Sequence, residues 1–105
     1  MSDKQKEKID IQAELLRKLI IKQKEKLQDR EFTTKILFLI MKYPYYNNLI
    51  TEIEDIITVS ETLLLCGQYR RSMHYICIAG QIIDNMQKQL ENDFLKIKQL
   101  FEKTY

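Results

Sequence analysis

Apolar residues recur at alternating steps of four and three through the last third of the chain. The positions on this stripe are Tyr69, Met73, Ile76, Gly80, Ile83, Gln87, Leu90, Phe94, Ile97, Phe101 and Thr104. Such spacing keeps every member on one face of a helix, so it predicts a helix over about residues 68–103. A helix of this length cannot bury its stripe alone, and we expect it to pack lengthwise on another long helix.

The first 42 residues predict a second long helix, over about residues 3–42. Up to residue 31 it carries nine basic and seven acidic side chains with apolar residues at helical spacing between them, and residues 32–41 are mostly apolar. A short apolar run also fits a β-strand, but no other segment predicts a partner strand, and we therefore favour a helix. We expect a break near Asp29–Thr33, with Thr33 or Thr34 as the cap.

Pro44 ends this segment, and a shorter helix is predicted over about residues 48–66. The segment Tyr-Pro-Tyr-Tyr-Asn-Asn forms the intervening loop, and Asn47 or Asn48 is the expected N-cap. The charges of the short helix are all acidic: Glu52, Glu54, Asp55 and Glu61. Gly67 follows as the expected C′ residue, so the short helix and the last helix form an antiparallel pair.

These elements predict an all-α protein with a single domain over residues 1–105. The predicted architecture is a three-helix antiparallel bundle with coiled-coil character, in which the long first and third helices pack antiparallel and the short second helix lies beside them. The chain of 105 residues contains only two glycines and one proline, far fewer turn residues than an all-β domain needs. Its 45% hydrophobic and 30% charged residues are typical of a folded chain.

The charge of the chain and its targeting signals limit the functions and locations to be considered. The net charge of +2 provides no general attraction to nucleic acid, and the lysines near the N-terminus are nearly neutralised by interleaved acids. The first residues are charged and lack an apolar region, so we expect no secretory signal. The run from Ile36 to Met41 is too short to span a bilayer. Cys66 and Cys77 have no CxxC or disulfide spacing and are expected to be buried thiols. These features predict a cytoplasmic location.

The residues around Gly67 resemble one helical hairpin of the tetratricopeptide type. Gly67, Tyr69, Ser72 and Ala79 fall at the spacing of that motif, although Ser72 stands where it usually has Ala, and its first-helix residues are poorly matched. Residues 53–84 are also similar to helical rod segments of multisubunit vesicle-tethering complexes. Both resemblances imply protein–protein scaffolding. A single repeat cannot bury its own faces, so an ordinary helical hairpin is the alternative interpretation.

No catalytic, cofactor-binding or metal-binding residue is predicted, and we expect no cofactor and no enzymatic activity. His74 is the only histidine, which excludes a pair of histidine ligands, and its spacing from Arg70 is one residue shorter than the Arg-x4–6-His signature of HEPN-type ribonucleases. The acids of the short helix lack the Glu-x-x-His pairs of di-iron bundles. They predict a solvated face or a docking face for a basic partner.

The predicted function is that of a non-enzymatic protein–protein interaction module, an adaptor or a subunit of a larger helical assembly. The apolar run and the tyrosines beside Pro44 predict its partner-binding residues, Phe38, Leu39, Tyr45 and Tyr46, for a protein partner or a homo-oligomer. One alternative is a small dedicated chaperone, similar to those of type III secretion, that holds a helical client. Another is a nucleic-acid-binding helical bundle.

Overall fold

In a computed structural model, residues 3–104 form four α-helices. They are α1 (Asp3–Gln28), α2 (Arg30–Leu39), α3 (Tyr45–Leu65) and α4 (Tyr69–Thr104). The structure describes residues 3–104, with side chains up to Lys103, so the predicted domain ends at 1 and 105 and the side chain of Thr104 lie outside it. The helices lie side by side in a body of 70 × 19 × 17 Å. The prediction of an all-α fold is confirmed for the described residues.

The predicted count of three helices was wrong because Asp29 divides the first of them. Asp29 has φ −56° and ψ 131°, and its carboxylate accepts a 3.1 Å hydrogen bond from the backbone N–H of Phe32. Asp29 is therefore the N-cap of α2. The expected break is confirmed, but the predicted caps Thr33 and Thr34 lie inside α2, where their hydroxyls donate to backbone carbonyls of the preceding turn.

The two long segments run parallel, and the predicted antiparallel packing of the first and third helices was wrong. Lys26 of α1 pairs with Asp84 of α4 at 3.2 Å, and Lys35 of α2 pairs with Glu91 further along α4 at 2.7 Å. Residue numbers thus rise together along both segments. The reason is topological: each tight turn reverses the chain, so two segments separated by one helix regain the same direction.

The turns on either side of α3 explain where it begins and ends. α3 begins at Tyr45, and its N-cap residue is Pro44, which forms no side-chain hydrogen bond. Pro44 lies three and four residues before the predicted caps Asn47 and Asn48. At the other end Gly67 has φ +76°, and its N–H donates to the Leu64 carbonyl at 3.0 Å. A second 2.9 Å bond from the next N–H to the Leu63 carbonyl completes a Schellman motif. The predicted C′ glycine is confirmed.

α4 presents two neighbouring faces to the bundle instead of one stripe. The positions shared by both faces are buried, as the stripe predicted: Ile76, Ile83, Leu90 and Ile97. Four residues before each of them lies a buried residue on the side of α3: Ser72, Ala79, Met86 and Asp93. The other predicted positions up to Phe101 face α1 and α2 and are only partly covered. Phe94 is half-buried, for example, and Met73 is 38% exposed.

Ser60 and Ser72 mark the point where α3 and α4 approach closely. Both side chains are completely buried. The Ser60 hydroxyl donates to the Ser72 carbonyl at 2.9 Å, and the Ser72 hydroxyl donates to the Ser60 carbonyl at 2.7 Å. Each hydroxyl is satisfied by the opposite backbone, so two polar residues lie in the core without an unpaired donor.

Candidate functional site

Apolar side chains remain exposed at the end of the molecule where α2 meets the last turns of α4. We call this surface the aromatic end and define it by Leu37, Phe38, Met41, Phe94 and Phe101. Leu37 is 71% exposed, Phe38 51%, Met41 91% and Phe101 55%. The surface arises because the second half of α2, residues 36–39, is apolar around the helix, whereas the rest of the bundle covers only the side that contains Ile36 and Leu39.

Three phenylalanine rings form the centre of the aromatic end. The Phe38 ring meets that of Phe94 edge-on at a centroid distance of 5.7 Å and lies 6.2 Å from that of Phe101. Phe38 and Phe94 also line a shallow depression of about 700 Å³. Packed but half-exposed rings of this kind supply a large apolar contact area at little entropic cost to a binding partner.

Lys35 lies at one edge of this depression. The Lys35 ammonium lies 2.7 Å from Glu91, 3.1 Å from Glu31 and 5.5 Å from the centre of the Phe94 ring. Hydrogen bonds to Glu91 and Glu31 raise the pKa of Lys35 despite partial burial. Its positive charge is thereby held beside the aromatic rings and is neutralised there by the two glutamates.

The four predicted partner-binding residues separate into two pairs. Phe38 is exposed at the aromatic end, and Tyr45 is 39% exposed on the first turn of α3. Leu39 and Tyr46 have no exposed surface at all. The expectation that Leu39 and Tyr46 contact a partner needs correction: they lie one helical position away from the exposed residues, so their side chains point into the core of the chain itself.

Below the surface, Tyr45 and Tyr46 converge on a buried carboxylate. Asp93 is 2% exposed and accepts hydrogen bonds from the hydroxyls of Tyr45 at 2.5 Å and Tyr46 at 2.7 Å, and from the Gln89 amide at 3.1 Å. The tyrosine rings lie 4.6 Å apart. The hydrogen bonds of this cluster join the start of α3 to α4 next to the aromatic end.

The cluster shifts the pKa values of its members in opposite directions. Burial on its own would raise the pKa of Asp93, but the three hydrogen bonds to its carboxylate outweigh it, and the pKa lies below the usual value. Burial and the bond to Asp93 raise the pKa of Tyr46 strongly and that of Tyr45 as well. The stable arrangement is a charged carboxylate between two neutral phenols.

Sequence reasoning missed Asp93 because a charged residue was not expected inside the core. One signal was available in the chain: Ser72, Ala79, Met86 and Asp93 recur every seven residues beside the apolar stripe. Small side chains and a carboxylate at such positions indicate a face that is close-packed or hydrogen-bonded to another helix. The adjacent Tyr45–Tyr46 pair supplies the donors.

The residues considered for chemistry lie on the surface. His74, Cys66 and Cys77 are exposed, so the expectation of buried thiols was wrong; both cysteines lie outside the packed faces. The His74 ring contacts that of Tyr75, at 5.6 Å. Among residues 3–104, no group of three or more histidine, cysteine, aspartate or glutamate side chains is arranged to hold a metal ion.

The acidic residues of α3 lie mostly on its outer surface. Glu52, Glu54 and Asp55 are exposed, whereas Glu61 pairs with Lys24 of α1 at 2.8 Å. Within the part of the chain that the structure describes, no helix is both long and apolar enough to cross a membrane. Comparison with protein-family models, with curated proteins and with solved structures gave no match.

Proposed function

We propose that the protein is a non-enzymatic protein–protein interaction module, acting as an adaptor or as a subunit of a larger helical assembly. The observation that carries this proposal is the aromatic end, where Phe38 and Phe101 are more than half exposed and their rings are within contact distance of each other. Contiguous exposed apolar residues on a folded chain are typical of association sites.

The surroundings of the rings fit an interface better than a simple gap in the core. The depression beside Phe38 and Phe94 has an apolar floor and a charged rim that includes Lys35 and Arg30. Interfaces commonly combine a desolvated aromatic centre with a polar rim of this kind. The buried bonds of Asp93 hold the adjacent turn in place, so the surface is preorganised for binding.

The resemblance of the α3–α4 hairpin to tetratricopeptide and tethering-complex helices implies the same functional class. The proposal does not depend on it, because the aromatic end lies on α2 and the last turns of α4, away from Gly67. His74, Cys66 and Cys77 are exposed and lie outside the aromatic end.

Sedimentation velocity over a concentration series tests the proposal for self-association. Phe38→Asp introduces a charge at the centre of the aromatic end and should weaken association, while the exposed position leaves helicity unchanged. Val59→Asp is the matched control, since Val59 is 41% exposed on α3 outside the aromatic end. A self-associating chain in which both variants behave like the wild type would contradict the proposed surface.

A further inference from the structure

A second open surface lies near the other end of the molecule, between the parallel helices α1 and α4. It is a groove of about 250 Å³ lined by Gln12, Leu15, Leu16, Tyr69, Arg70 and Met73. Leu16 is buried and Tyr69 half-buried, so they form the floor, while Leu15 is 52% and Met73 38% exposed on the walls. We call it the α1–α4 groove. The floor and walls of this groove are apolar, whereas its rim carries charged side chains.

The wall on α1 carries a basic stripe. Residues at successive steps of three or four lie along the side of α1 that contains Leu15: Lys4, Lys8, Ile11, Leu15, Lys18 and Lys22. All six are exposed, and none of the four lysines forms an ion pair within residues 3–104. Arg70 adds a positive charge from the α4 wall.

The carboxylates of α1 follow a separate stripe. Asp3, Glu7, Asp10, Glu14 and Glu25 also recur at helical spacing, but about a quarter turn further round the helix, away from α4. The first carboxylate along the α4 wall is Asp84, which is already paired with Lys26 at 3.2 Å. Glu14 lies four residues before Lys18 but pairs instead with Arg17, at 3.7 Å. Within residues 3–104 no ion pair joins these acids to the four lysines, so the lysines make the rim of the groove positive.

We infer that the α1–α4 groove binds an amphipathic helix of a partner protein whose apolar stripe is flanked by aspartate or glutamate. Two parallel helices separated by an apolar cleft present the surface on which bundles seat a further helix. The positive rim complements carboxylates on both flanks of such a stripe and repels a basic helix.

The shape of the surface favours a helix over other anionic partners. Nucleic acid gains little from an apolar floor, and the one aromatic side chain lining the groove, Tyr69, is half-buried rather than available for base stacking. A lipid surface is bound by side chains that project outward, whereas Leu15 and Met73 line the walls of a cleft.

Fluorescence anisotropy with a labelled designed peptide tests the inference on the full chain. The probe is a helix of about 18 residues with leucines along one stripe and glutamates on both flanks, and the reference probe has lysines in place of the glutamates. We expect binding of the acidic probe only, weakened about tenfold or more when NaCl is raised from about 50 to about 300 mM.

Matched variants locate the binding site. The triple variant Lys8→Gln, Lys18→Gln, Arg70→Gln should weaken binding about tenfold, because each exposed ion pair contributes a factor of a few. The control triple variant Lys6→Gln, Lys98→Gln, Lys103→Gln removes the same charge elsewhere and should bind like the wild type. Leu15→Gln should weaken binding at high salt, and Phe38→Asp should have no effect, which separates this groove from the aromatic end.

Circular dichroism checks that each variant remains folded. Equal binding of both probes, equal weakening by the two triple variants, or no binding of the acidic probe would overturn the inference. The inference would also be overturned if the groove variants altered only the binding of anionic phospholipid vesicles or of a duplex oligonucleotide.

Discussion

The hydroxyl of Tyr46, on the first turn of α3, donates a 2.7 Å hydrogen bond to the carboxylate of Asp93, 47 residues later on α4. Both side chains are buried, and Tyr45 donates to the same carboxylate oxygen. A charged residue in the core is stable here because its hydrogen bonds replace the solvation that burial removes. The bond joins the turn after α2 to α4 beside the aromatic end.

Replacing Asp93 should reveal how much its buried carboxylate contributes to the stability of the fold and how that contribution depends on pH. The pKa of Asp93 lies below its ordinary value of 3.8, so its stabilisation is present above that pH and is lost as the pH falls through the lower, folded-state pKa. Asp93→Asn should lower the free energy of unfolding by about 1.5–3 kcal/mol at pH 7. The difference from the wild type should shrink below about pH 4.

Urea unfolding followed by circular dichroism at several pH values provides the measurement. Glu52→Gln removes an exposed carboxylate from α3 and should change stability by less than about 0.5 kcal/mol at any of these pH values. An Asp93→Asn variant as stable as the wild type at pH 7 would show that the cluster contributes nothing to the fold.

Ser72 should tolerate a smaller side chain but not a larger one. Ser72→Ala removes one hydrogen bond and should cost about 0.5–1.5 kcal/mol. Ser72→Leu places three further carbon atoms where α3 and α4 touch at Ser60 and should cost more, because overpacking forces the helices apart. Thermal unfolding of both variants provides the measurement. If Ser72→Leu lost no more stability than Ser72→Ala, the close approach of α3 and α4 at this point would be contradicted.

The two glycines should respond in opposite directions to alanine. Gly67 has φ +76°, so Gly67→Ala introduces backbone strain of about 1–2 kcal/mol. Gly80 lies within α4, and an added Cβ would stand 3.4 Å from the amide nitrogen of Gln23, an ordinary contact. Gly80→Ala should therefore gain up to about 1 kcal/mol from helix propensity. Melting temperatures that fall for both variants would contradict this account of Gly80.

Periodicity predicted the helices well, because burying a stripe constrains spacing along the chain. It identified the buried positions Ile76, Ile83, Leu90 and Ile97 and the end of α3 at Gly67. It indicated a break near Asp29–Thr33, but the expected cap was Thr33 or Thr34 instead of Asp29, because several residues of this segment are of types that cap helices. The spacing pattern does not determine the relative direction of two helices, which depends on the number of tight turns between them.

The candidate site was predicted in part. Low charge and high hydrophobicity over residues 36–46 identified the segment, and Phe38 and Tyr45 are on its surface. The pattern did not distinguish them from Leu39 and Tyr46, because residues apolar on every side of a helix give no preferred face. Phe101 was assigned to the core stripe, but α4 extends past the start of α3 and leaves it 55% exposed.

The central claim is that the aromatic end is where this protein meets another chain. Site-specific photo-crosslinking in the native cell tests it most directly, with the reactive residue introduced at Phe38, at Phe101 or, as the control, at Val59. The account predicts one discrete crosslinked product, with a second copy or another protein, from positions 38 and 101 and none from position 59. Equal crosslinking from all three positions, or discrete crosslinking from position 59 alone, would contradict it.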